Sequence, residues 1–327
     1  MNQTNKIFVL EPRSGLCNQL NCIAIGLVIG LIYERKIYFH KFQLDYMDMN
    51  NLIDFESIIN IDHLNKILKE YKINTSIIKN NELKKYKINI TEIDEIEILN
   101  TNNELIYNIK NIFPHINSNK LNNLNKQLLN LQNPINTIIP ETYKNFYNYI
   151  RLNIKFNQKY IDIAYKIIDN FELTNFCCIH LRLEDDAIEY VRNNNDFDYI
   201  NDIYKQIYIQ ELEILKKSDV KIYVCTSLGL FENKNNLFYK IIKKQYNLID
   251  KNDILKNLEK NLNLDLDFSE ILQQREICGI IDYLIALKSD YFVGCDWSSF
   301  SILIKDNHEF YKKSFNLLKI WDTVYHL

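Results

Sequence analysis

The chain is poor in the residues that usually break structure: six glycines and four prolines in 327 residues. Loops are therefore weakly marked, and each glycine carries information about where an element ends. Long apolar runs are missing as well. The longest, Ile23 to Tyr33, falls short of the roughly 18 unbroken apolar residues a membrane span needs, and Glu34, Arg35 and Lys36 follow at once. No membrane span is expected. The start, "MNQTNKIFVLEPRSG", lacks the charged lead, apolar core and small-residue cleavage site of a secretory signal. As written, the sequence is expected to be cytoplasmic. Positive charge is not in excess either: 39 Lys and Arg stand against 42 Asp and Glu, a net charge of −3. The broad basic footprint of a nucleic-acid binder is absent, so any anion has to be met by a local site. Among the seven cysteines no pair has the C-x-x-C spacing of a zinc or redox site. They read as reduced, buried, small hydrophobes.

What is present is apolar bulk, 47% hydrophobic and 13% aromatic residues, enough for sizeable cores. Three of the rare glycines, Gly15, Gly229 and Gly294, lie at or just after the β-like runs "IFVL", "IYVCTSL" and "YFV". That is how strands of an α/β sheet end when a tight turn leads into a helix. At the amino end, "KIFVL", "EPRSGLC", "NQLNCIAIGLVIGLIYER" and "KIYFH" read as strand, loop, buried helix and strand. Residues 64–149 are rich in Lys, Asn and Ile, and read as variable helices and loops. The run "NKLNNLNKQLLNLQN" fits helix or loop. From about Tyr160 strands and helices alternate again, which implies a parallel sheet covered on both faces. The expected fold class is α/β, with two Rossmann-like domains, residues 1–160 and 161–327, and a cleft between them.

Three stretches carry chemistry. In "FCCIHLRLEDD", period-two alternation puts Cys178, His180 and Arg182 on one face, with Ile179, Leu181 and Leu183 on the other. His180 and Arg182 then lie at the carboxyl end of a strand, where open α/β sheets bind ligands. An arginine there meets an anion, a phosphate above all, or pairs with Glu184 or Asp186 as a structural ion pair. In "DYFVGCDWSSFSILIK", Ser298 and Ser299 are natural caps for a helix beginning near Phe300, and such a start is a ready phosphate site or an ordinary N-cap. In "PRSGLCNQLN", Gly15 lets the backbone approach a ligand, and Asn18 and Gln19 offer amides at a helix start. That stretch is neither G-x-G-x-x-G nor a P-loop, so neither dinucleotide nor ATP binding follows.

Four blocks in order resemble the protein O-fucosyltransferase family, especially its plant-type branch. "HLRLEDDAIEY" resembles its H-L-R-x-E-x-D motif, "SGLCNQ" its amino-terminal G-L-x-N-Q element, "FESIINIDHL" the segment after the second strand, and "IIDYLIALKSDYFVGCDWSSFSILIK" the carboxyl-terminal element. The resemblance implies a GT-B fold and an inverting transfer of fucose from GDP-fucose to a hydroxyl of a protein or glycan. It implies no metal and no cofactor, because arginine and helix N–H groups neutralise the leaving diphosphate. By position it implies that His180 and Arg182 contact the donor and its diphosphate. Ser298, Ser299 and Phe300 would hold the β-phosphate and nucleoside, Asp282 would bind the nucleoside, and Asn18 would reach the donor from the first domain beside Gly15. Arg182 is the expected catalytic cation, and Glu11 is the acidic residue before the amino-terminal element. The family is usually found in the endoplasmic reticulum or Golgi.

Other readings follow from particular residues. A branch of the family is implicated in rhamnose transfer from UDP-rhamnose. A metal-dependent glycosyltransferase would use an Asp-x-Asp, present as Asp196/Asp198 and Asp265/Asp267. A bacterial-type α-1,2-fucosyltransferase would carry H-x-R-R-x-D, but Leu183 follows Arg182 here. A catalytically inactive nucleotide-sugar-binding module would keep the clamp without the chemistry.

Overall fold

The computed structural model describes residues 7–32, 35–86, 98–99, 128–132, 141–184, 200–228, 230–231, 236–254, 273–296, 298–310 and 314–318. The chain divides into two compact units, Met1–Asn157 and Gln158–Leu327. Each contains a four-stranded parallel sheet.

In the first unit, β1 (Ile7–Glu11) leads through α1 (Leu16–Ile32) to β2 (Lys36–Phe39), the βαβ unit expected from the sequence. α1 carries no charged residue and is buried nearly all round. Gly26 lets it approach the sheet closely, since a Cβ there would meet Leu10 Cδ1 at 2.3 Å. The sheet order is β2-β1-β6-β5, with β5 at Ile98–Leu99 and β6 at Leu128–Gln132. β6 pairs with β1 over its full length. This corrects the reading of its run as helix or loop: "LLNLQ" forms a central strand. The hairpin β3 (Lys41–Asp45) and β4 (Asp48–Asp54) was not foreseen either. Its turn has no glycine. Asp45 and Asp48 serve instead, their carboxylates accepting the N–H groups of Met47 and Asn50, both at 2.9 Å. α2 (Ile61–Glu70) is capped by Asn60, whose Oδ1 accepts from His63 N at 3.0 Å. α3 (Glu141–Asn153) closes the unit and packs on α1.

The second unit runs α4 (Gln158–Asn170), β7 (Cys177–His180), α5 (Ile200–Lys217), β8 (Ile222–Cys225), α6 (Leu237–Gln245), α7 (Arg275–Ala286), β9 (Tyr291–Cys295), α8 (Ser299–Phe310) and β10 (Ser314–Leu318). The strand order is β10-β9-β7-β8. One core joins Cys177, Ile179, Leu181 and Leu183 to Tyr208, Leu212 and Leu215 of α5, and to Tyr239 and Ile242 of α6. α7 packs against α4 and β8. All seven cysteines are buried and unbridged. No helix among the described residues is long and apolar enough to cross a membrane.

Topology fixes where a ligand can sit. From β7 the chain moves outward to β8; β9 lies on the other side of β7 and leads outward to β10. Connections therefore diverge between β7 and β9, and the crevice at their carboxyl ends is the position where open α/β sheets bind ligands. In the first sheet β1 leads outward to β2, while β6 is reached inward from the edge strand β5.

Candidate functional site

At the carboxyl end of β7 regular pairing stops at His180, yet the alternation continues. Leu181 and Leu183 stay in the core, so Arg182 and Glu184 share the other face. Four contacts hold the exit from the strand. The Tyr208 hydroxyl donates to His180 O at 2.8 Å and accepts from Arg182 N at 3.2 Å. Leu181 N donates to Cys225 O at 3.0 Å, and Thr226 Oγ1 donates to Leu181 O at 3.0 Å.

His180 is buried. Its Nδ1 lies 2.8 Å from Ser301 Oγ, and its ring sits 4.7 Å from that of Phe300. Burial pushes the imidazole down to about 3, and the charges of Arg182 and Lys251 act the same way, so the ring is neutral. Ser301 also accepts from Cys295 N at 3.1 Å, tying the start of α8 to the end of β9. Gly294 makes this possible, because a Cβ there would meet Ser301 Oγ at 2.4 Å. Gly294 therefore lies inside β9 for close packing, a correction to its reading as a turn residue.

Arg182 Nη1 donates to Glu184 Oε2 at 2.8 Å. The arginine side chain is 22% exposed and the glutamate 4%, so the guanidinium is reachable while its partner is enclosed. Ser227 N and Oγ donate to Glu184 Oε1 at 3.1 and 2.9 Å. Burial pushes the Glu184 carboxyl up, but the Arg182 charge and these hydrogen bonds outweigh it and hold it down at about 2. Arg182 thus forms the ion pair with Glu184 that its sequence position allowed; Asp186 lies outside the described residues.

Beyond β9, Ser298 is buried, Ser299 is exposed at the first turn of α8 and Phe300 is half-buried. Ile302 N donates to Ser298 O at 2.9 Å, placing Ser298 at the cap position. The structure thus brings His180, Phe300 and Ser301 into contact beside Arg182, Ser298 and Ser299. Ser301 was missed, and only its spacing after the serine pair could have signalled it.

Asp282 occupies a different setting. It is buried on α7; Tyr223 donates to its Oδ1 at 2.8 Å, and the Lys251 ammonium pairs with its Oδ2. Lys251 also donates to Thr226 O at 2.7 Å. Burial alone would lower the lysine, and the Asp282 charge holds it above its ordinary value instead. Lys251 belongs to no stretch singled out in the sequence, and Tyr223 lies in "IYVCTSL", which was read only as a strand. The two Asp-x-Asp triplets lie outside the described residues, and among the described residues no group of three or more His, Cys, Asp or Glu could hold a metal.

In the first unit, Glu11 is buried at the end of β1 and ion-paired with Arg13. Ser14 adopts φ 83, so the left-handed residue of this loop is the serine and not Gly15. A Cβ at Gly15 would meet nothing within 4 Å. Half-buried Asn18 donates to Ser14 Oγ at 3.1 Å. The Gln19 amide, expected to face a ligand, is used inside the fold. It donates to Ser14 O and Gln43 O, both at 2.8 Å, and accepts from Gln43 N at 2.9 Å. Gln43 Oε1 in turn accepts from Ser14 N at 2.7 Å. Two buried glutamines thereby lock the loop after β1 to the hairpin.

Comparison with known proteins accords with this geometry. No curated protein matches the chain by sequence. Among solved structures, POFUT1 in complex with GDP-fucose is similar at 14% identity and a TM-score of 0.62, over 96% of this chain and 98% of that one. The NodZ α-1,6-fucosyltransferase soaked with GDP-fucose is similar at 10% identity and a TM-score of 0.54, over 93% and 92%. The fucosyltransferase NodZ from Bradyrhizobium is similar at 11% identity and 0.51, over 92% and 93%. At such identities the likeness shows the fold, the GT-B-like α/β class expected from the sequence. The sequence pattern of the family described as GDP-fucose protein O-fucosyltransferase matches residues 34–311, most of the chain. The chain therefore belongs to the GDP-fucose protein O-fucosyltransferase family.

Proposed function

We propose that the chain is a metal-independent, inverting fucosyltransferase that moves fucose from GDP-fucose to a hydroxyl of a protein or glycan. The observation that carries this reading is the partly exposed Arg182 side chain just past β7, at the β7–β9 divergence, where His180 meets Phe300 and Ser301 at the start of α8. The acceptor oxygen attacks C1 of the sugar, the bond from C1 to the β-phosphate oxygen breaks, and GDP leaves with the electron pair. Charge grows on the β-phosphate as that bond lengthens. A fixed guanidinium and the exposed N–H groups of a helix start stabilise it, the task a metal performs elsewhere. Ser298 and Ser299 add hydroxyls at the same helix start. Neutral His180, with Phe300 against it, offers a hydrogen bond without adding charge. The acceptor proton goes to a base, and Glu11 is the candidate; to take the proton it has to share or release Arg13. Gly15 and Asn18 remain proposed donor contacts. Asp282 would reach a nucleoside only by exchanging Tyr223 or Lys251 for it.

Calorimetric titration with GDP, UDP, GDP-fucose and UDP-rhamnose in EDTA tests the donor. Binding of GDP and GDP-fucose, with UDP at least tenfold weaker, is the expected result. Tight UDP-rhamnose binding with none of GDP would establish a rhamnosyltransferase instead, and binding lost in EDTA would establish a metal-dependent site.

A further inference from the structure

The ion pair at the crevice raises a question of energetics. Burying a carboxylate is costly, and a buried ion pair often stabilises a fold no better than apolar side chains of similar volume. Glu184 is nonetheless enclosed, and it is held from both sides. Ser227 N and Oγ grip Oε1, while Oε2 takes Arg182 Nη1. Ser227 lies in the loop after β8, and its neighbour Thr226 is bonded in turn to Leu181 O and Lys251 Nζ. The carboxylate is therefore fixed by a second strand loop, independently of the arginine's own segment. The asymmetry of exposure, 22% against 4%, says which partner is meant to be reached.

We infer that Glu184, gripped by Ser227, is a positioning residue that holds the Arg182 guanidinium in place for the leaving diphosphate. The inference rests on the fucosyltransferase reading of this site. A free arginine side chain samples many rotamers and loses that freedom when it meets its ligand. Glu184 imposes the loss on folding, so the guanidinium needs no rearrangement as charge develops on the phosphate. Such preorganisation acts on the transition state more than on the bound donor. The assignment reaches beyond the serines and histidine of the crevice, because neither Glu184 nor Ser227 has to touch the substrate.

The test is a double-mutant cycle read in single-turnover release of GDP from GDP-fucose, water being the acceptor, on protein checked for folding. Glu184→Gln keeps the volume but has one acceptor oxygen for two, so its NH2 has to face either the guanidinium or Ser227 N, both of which donate. The rate is expected to fall tenfold or more, with the dissociation constant for GDP-fucose changing less than threefold. In an Arg182→Ala background the same change is expected to have no further effect, because Glu184 acts through the arginine. A merely structural glutamate would slow both backgrounds alike or lower only the folded yield. Should Glu184→Gln not fold, Ser227→Ala removes the hydroxyl contact alone. It is expected to slow release by a few-fold, an effect absent without Arg182. A wild-type rate in the folded variants, or equal losses with and without Arg182, overturns the inference while the enzyme reading stands. A wild-type protein that forms no GDP removes that reading and the inference with it.

Discussion

At the scale of single residues the account turns on Arg182 and His180. Arg182→Ala removes the cation, and Arg182→Lys keeps the charge but loses the planar fork. Both are expected to lower single-turnover rates by about a hundredfold or more, the range for losing one preorganised electrostatic donor. GDP affinity should fall less than the rate. A normal rate constant in folded Arg182→Ala protein would reduce Arg182 to a structural partner of Glu184. His180 carries a pH signature. Its imidazole titrates near 3 in the fold and near 6.5 in the unfolded chain, so between these values the unfolded state binds more protons. Stability therefore falls as pH falls through this window, by up to about 1.4 kcal/mol per pH unit. Glu184, held at about 2, contributes stability that is present above its unfolded value near 4.5 and is lost below it. Between pH 6.5 and 5 the loss from these two groups is thus the histidine's. Urea denaturation at pH 7 and pH 5 is expected to show His180→Gln losing about 2 kcal/mol less than wild type. Equal losses would show that His180 accepts a proton in place.

At the scale of elements, β9, α8 and the exit of β7 act as one assembly joined through Ser301. Ser301→Ala would remove the hydrogen bonds to Cys295 N and His180 Nδ1, each worth about 0.5–1.5 kcal/mol. GDP binding is expected to weaken with stability. Gly294→Ala attacks the same joint from the strand side: the new Cβ would also meet Phe292 Cε1 at 2.6 Å. Overpacking of this kind costs about 1–3 kcal/mol. Thermal melts of both variants check this, and a wild-type melting temperature in Gly294→Ala would show that the strand and helix do not need their close approach. The elements also show what could be read beforehand. The alternation in "FCCIHLRL" was legible because one face is uniformly apolar, and it persists past the last paired residue. β6 was not legible, because a run of Leu and Asn satisfies helix and strand periods alike. The β3–β4 hairpin was hidden because Asp45 and Asp48 do the work usually signalled by glycine. Ser301 and Lys251 meet His180 and Asp282, partners 121 and 31 residues distant. No local pattern encodes such contacts.

At the scale of the whole molecule, each unit carries a parallel sheet, and the residues that sequence reading singled out lie at strand ends: Glu11 at β1, His180 and Arg182 at β7, Ser298 and Ser299 after β9. On the proposed reading, the residues of the second unit share one task, a charge-balanced setting for a leaving diphosphate: a neutral histidine, an arginine held by a carboxylate, and a helix start. A module that only bound nucleotide sugars would share the affinity but not the bond cleavage. Single-turnover release of GDP from GDP-fucose in EDTA separates the two most directly. The account predicts that wild-type protein converts bound GDP-fucose to GDP in EDTA as fast as in Mg²⁺. GDP-fucose that binds and stays intact under both conditions would contradict it.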